Sequence, residues 1–97
     1  MLNIEHEVEF DVLQSWNSGV DNSTRVFEMT GHNEPVYLVW CVVSKGRLGD
    51  TRVVIHQICE INCVNGLRDV TDKMLLRDRI RDFANAVKHY ITDAEFV

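Results

Sequence analysis

Residues 36–64, VYLVWCVVSKGRLGDTRVVIHQICEINCV, decide how the rest of the chain must fold. Val36 to Val43 and Val53 to Ile61 are dominated by β-branched and aromatic residues, and Lys-Gly-Arg-Leu-Gly-Asp between them carries the turn signals, so the stretch reads as a long hairpin. With Arg47 and Leu48 at the tip, Gly46 faces Gly49, Lys45 faces Asp50 and Ser44 faces Thr51. That register predicts one face carrying Val36, Leu38, Trp40 and Val42 opposite Cys59, Gln57, Ile55 and Val53. The other carries Tyr37, Val39, Cys41 and Val43 opposite Ile58, His56, Val54 and Arg52. A strand with one solvated face alternates apolar and polar residues. Val36 to Val43 does not, so a cover is expected on both faces.

Upstream, Leu2, Ile4, His6, Val8, Phe10 and Val12 alternate with Asn3, Glu5, Glu7, Glu9 and Asp11. This period of two predicts a strand over residues 2–12, apolar on one side and carrying four carboxylates on the other, a face suited to a sheet edge. A helix is the competing reading, because Ile4, Val8, Val12 and Trp16 are four apart, but it leaves Phe10 off the apolar stripe. Asn17-Ser18-Gly19 and Asp21-Asn22-Ser23 are turn material, Thr24 to Thr30 is a short strand, and Gly31 to Pro35 is a further turn. Asn65-Gly66 closes the strand region.

Downstream, Asp69 to about Asp93 has the spacing of one amphipathic helix, with Leu76, Ile80, Phe83, Val87 and Ile91 in a buried stripe and Ala84 and Tyr90 on its borders. Thr71 or Asp69 can cap its start. The expected fold is therefore α+β: a four-stranded antiparallel meander with one C-terminal helix on one face, β-β-β-β-α. A single stripe covers a single face. The other face of the hairpin is left to a homodimer contact, to a protein partner, or to residues 1–24 with Trp16 folding over it.

Composition narrows the function classes. Ninety-seven residues, 45% hydrophobic and 26% charged, make one globular domain spanning 1–97. No apolar run approaches the roughly 20 residues of a bilayer helix, and MLNIEHEVEF lacks the basic end and apolar core of a signal peptide, so a cytoplasmic, intracellular setting is expected. The three cysteines, Cys41, Cys59 and Cys63, are odd in number and sit in apolar strand sequence, as free thiols in that compartment do. The net charge is −5, with residues 1–40 at −6 and the remainder at +1. An acidic N-terminal part opposes nucleic acid and favours a partner with a basic surface.

Each site reading meets a plainer one. His56, Cys59 and Cys63 form H-x2-C-x3-C, but on a strand His56 points away from both thiols, and Cys59 and Cys63 stand about 13 Å apart, too far for a shared zinc or a disulfide. Buried thiols and no metal are expected. Cys41 with His56 invites nucleophilic chemistry, opposed by an apolar setting that raises the thiol pKa. Lys73, Arg77, Arg81 and Lys88 read as a solvated helix face. Glu5, Glu7, Glu9 and Asp11 recur about every 6.6 Å along the expected strand and form a strip able to dock on a basic groove, against the plainer reading of a solubilising edge. The expectation is a non-catalytic binding protein of the inhibitor or adaptor kind, the class of toxin-immunity and phage counter-defence proteins. It needs no cofactor, and its contacts fall on Glu5, Glu7, Glu9 and Asp11 and on a sheet face with Trp40 or Tyr37. The alternatives are an assembly subunit that homo-oligomerises through the sheet and a small Cys41/His56 enzyme.

Overall fold

The chain's alternating segments form a meander. The computed structural model describes residues 9–18, 23–62, 64 and 66–95. Strands β1 (Phe10–Asn17), β2 (Thr24–Gly31), β3 (Val36–Lys45), β4 (Thr51–Asn62) and β5 (Gly66–Asp69) lie in the order β1-β2-β3-β4-β5. Every neighbouring pair is antiparallel. Helices α1 (Thr71–Leu76) and α2 (Ile80–Glu95) follow. The α+β meander with C-terminal helical cover holds, extended by a fifth strand and a divided helix.

Three local readings change. The strand expected at residues 2–12 is seen from Phe10 and runs on to Asn17, so Gln14 to Asn17 are strand and not loop; residues 2–8 lie outside the described residues. β5 is four exposed residues paired to the end of β4, too short to show a period of its own. Asp69 to Asp93 is not one helix. The Asp78 N–H donates to the Leu75 carbonyl at 3.1 Å and the Arg79 N–H to the Met74 carbonyl at 2.9 Å. These two bonds make a Schellman stop, with Asp78 at φ 55° in the left-handed position that glycine usually takes. Leu76 consequently leaves the stripe and is 89% exposed, while Met74 is buried in its stead.

The helices cover one face of the sheet. Phe10, Phe27, Met29, Tyr37, Val39, Cys41 and Ile58 from the strands enclose Phe83, Ala86, Val87 and Ile91 of α2 in one core, which Val70 and Met74 extend. Phe10 stacks on Phe83 with centroids 4.3 Å apart, and Tyr37 meets Phe83 edge-on at 5.2 Å. Such ring pairs add about 0.5–1.5 kcal/mol beyond the area they bury. At the far end of the sheet Thr71 satisfies the β4 backbone: its Oγ1 accepts from the Ile58 N–H at 2.9 Å, and the Val70 N–H donates to the Ile58 carbonyl at 2.9 Å.

A candidate docking face

Two β-bulges determine what each face of the sheet carries. In β1, Val12 pairs with Met29 and Gln14 with Glu28, so Leu13 is extra. In β4, Cys41 pairs with Ile55 and Trp40 with Gln57, so His56 is extra. One inserted residue reverses the parity of everything beyond it. The hairpin turn also differs from expectation: Lys45 pairs with Thr51 and not with Asp50, because Gly46 to Asp50 form the loop, closed by the Gly46 N–H to the Asp50 carbonyl at 2.8 Å.

With these shifts, the face opposite the helices carries Asp11, Gln14 and Trp16 of β1, then Val26 and Glu28 of β2 and Leu38, Trp40 and Val42 of β3. Arg52, Val54, Gln57, Cys59 and Ile61 of β4 and Leu67 and Asp69 of β5 lie on it too. Trp16, Val26, Trp40 and Gln57 are cross-strand neighbours in a single row. Val26 is only 2% exposed, although it is no part of the helix-covered core. No described helix lies on this side, where Trp16 and Trp40 flank Val26 on the two neighbouring strands. Trp16 itself stays 41% exposed, and Val54, Ile61 and Leu67 are exposed on the same face. The chain has two tryptophans, and both are here.

Beside that row runs Gln14–Glu28–Leu38–Cys59–Asp69, polar at both ends and apolar between. The Gln14 amide donates to Glu28 Oε1. Gln57 Nε2 donates to Asp69 Oδ2 at 2.9 Å, while the Thr71 N–H and hydroxyl donate to Asp69 Oδ1 at 2.9 and 2.7 Å. Those donors, Thr71 first, hold the Asp69 carboxyl below the usual carboxylate range. Asp69 thus serves the start of α1 from outside the cap position, which Val70 occupies.

The expected contact residues separate. Trp40 and Asp11 share the open face, and Glu9 is exposed just ahead of β1. Glu5 and Glu7 lie outside the described residues. Tyr37 is corrected: it points to the helix side, is 3% exposed, and its hydroxyl donates to Glu34 Oε2 at 3.0 Å, so it has no surface to offer a partner. Cys41 and His56, the pair weighed for nucleophilic chemistry, differ in setting. The bulge puts Ile55 opposite Cys41, His56 is exposed, Cys41 is wholly buried, and burial pushes its thiol up to about 12. Cys63 lies outside the described residues, among which no three His, Cys, Asp or Glu side chains converge as metal ligands would. Lys73, Arg77, Arg81 and Lys88 are all exposed.

A cleft of about 570 Å3 beside β5, lined by His56, Arg68, Asp69 and Lys73 among others, is open to solvent and of mixed charge. Val26, Glu28, Gln14 and Gln57 were not singled out in the sequence; the alternation of Arg25, Phe27 and Met29 against Val26, Glu28 and Thr30 was the available signal. Compared with known proteins, the chain matches no family model, no curated protein and no solved structure.

Proposed function

We propose that this chain is a protein-binding domain of the inhibitor or adaptor kind, with the sheet face opposite the helices as its docking surface. The observation that carries the reading is the Trp16–Val26–Trp40 row, which neither helix covers and which continues into Leu38, Val42 and Val54. Contiguous apolar surface with tryptophan at its centre is where protein interfaces concentrate their binding energy. Asp11, Glu28 and Asp69 stand around it, and Arg52 is the one basic residue that the described register adds to this face, at the hairpin end opposite Ser44. Among possible occupants, a partner with basic groups around an apolar patch fits those charges. A second copy would set carboxylates of the same sign near one another.

A photo-crosslinking residue in place of Val42 tests the reading in cells that express the chain. Expected is an adduct with one other polypeptide that is lost when Trp16→Gln is added and absent when the crosslinker replaces Lys88 on the helix face. Equal adducts at both positions would remove the docking face from consideration. Adducts of twice the chain mass alone would assign the face to self-association instead.

A further inference from the structure

Resting on that docking reading, we propose that the open face recognises an arginine side chain of its partner, laid on the Trp16–Trp40 pair with its guanidinium held by Glu28. Trp16 and Trp40 are separated by one strand, so their backbones stand roughly 9–10 Å apart in the hydrogen-bonding direction, and Val26 between them is 2% exposed. The two tryptophans thus flank a closed floor at Val26. A floor without a hole takes a flat group on its surface, not an aliphatic plug. Glu28 is two residues from Val26 on the same side of β2, and the Gln14 amide donates to its Oε1, which fixes the carboxylate on this face and leaves Oε2 to a ligand.

A cation is favoured over a neutral ring by charge. Asp11, Glu28 and Asp69 lie on this face, Arg52 stands at its far end, and the whole chain carries −5. Arginine is favoured over lysine by shape: a guanidinium is planar, weakly hydrated, and able to stack on a ring while donating sideways to a carboxylate. The chain uses the same arrangement within its own fold, with the Arg79 guanidinium 5.0 Å from the Phe10 ring centroid and that of Arg25 5.1 Å from Phe27.

Because both tryptophans lie on this face, emission excited selectively at tryptophan, beyond the tyrosine absorption band, reports on it. The whole chain is titrated with a short glycine–arginine repeat peptide, its lysine counterpart and its citrulline counterpart, which keeps the shape without the charge. Expected is a saturable change of tryptophan emission with the arginine peptide, about two- to fivefold weaker binding of the lysine peptide, and still weaker binding of the citrulline one. Glu28→Gln is expected to weaken the arginine peptide about two- to fivefold with the circular dichroism spectrum unchanged, and Asp72→Asn on α1 to leave it alone. Equal binding of arginine and citrulline peptides, equal binding of arginine and lysine peptides, or an Asp72→Asn loss as large as that of Glu28→Gln would each overturn the proposal. If the arginine peptide leaves emission unmoved while the crosslinker at position 42 still captures a polypeptide, the arginine pocket falls and the docking face stands. If neither responds, both fall.

Discussion

Arg79 Nη1 lies 2.7 Å from Glu34 Oε1, which joins the start of α2 to the turn between β2 and β3 across 45 residues of sequence. The same guanidinium lies over Phe10, and Glu34 also accepts from the Tyr37 hydroxyl. Both charged side chains are about three-quarters buried, so the pair is screened less than a surface ion pair. Arg79→Ala removes the ion pair and the ring contact together and is expected to cost about 2 kcal/mol, against about 1 kcal/mol for Glu34→Gln. Urea unfolding followed by circular dichroism measures both. Arg79→Lys restores the charge but not the stacked plane and should recover only part of the loss.

Alkaline stability is expected to fall between about pH 9 and pH 12. Burial raises Tyr37 from 10.0 to about 12 and Cys41 from 9.0 to about 12. A raised folded-state pKa means the folded form keeps its proton longer, so the contribution is complete below the unfolded value and lost as pH climbs through the folded one. Urea midpoints measured from about pH 8 upwards should decline over this window, and Tyr37→Phe should remove the upper part of the decline. By the same cause, Cys41 and Cys59 should resist iodoacetamide near neutral pH until the chain unfolds, which peptide mass mapping reads directly.

At the acid end the sign is opposite. Donors from Thr71 and Gln57 hold the Asp69 carboxyl below the usual aspartate range, so its contribution is present above the unfolded value and disappears as pH falls through the folded one. Asp69→Asn should lower stability at neutral pH and flatten its dependence on pH below about 4. An acid limb as steep in the variant as in the parent chain would contradict this.

Asp78 ends α1 at φ 55°, a backbone region costly for most side chains. Asp78→Gly is expected to stabilise the chain by up to about 1 kcal/mol, and Asp78→Val to destabilise it by about 1–2 kcal/mol, in thermal melts of the three proteins.

Leu13 is the unpaired residue of the β1 bulge and is 53% exposed. Its deletion joins Val12 to Gln14 in a regular ladder without turning either side of the strand over. The deletion should cost no more than about 1 kcal/mol and leave tryptophan emission as it was, whereas an added residue after Gln14 should turn Trp16 toward the helices and shift the emission to the blue.

The hairpin, the turn at Gly31 to Pro35 and the stripe of Ile80, Phe83, Val87 and Ile91 could all be read from the chain, because each announces itself within a few residues through side-chain period or turn chemistry. So could the imbalance between two apolar sheet faces and one helical stripe. Leu76 could not be placed, since its spacing fits the stripe and only the left-handed Asp78 removes it. Nor could β5, whose four exposed residues form a strand only because β4 extends far enough to pair with them.

Local chemistry thus determined the hairpin, the strand at Thr24 and the stripe of α2, but not β5 or the division of the helix. The tertiary structure alone decided which residues stand on the open side of the sheet. Leu13 and His56 each add one residue to a paired strand, and that moves Trp16 out of the core side and leaves His56 without a partner position in the ladder. A bulge is a property of two strands aligned against each other: its energy lies in the pairing, and no period within either strand contains it.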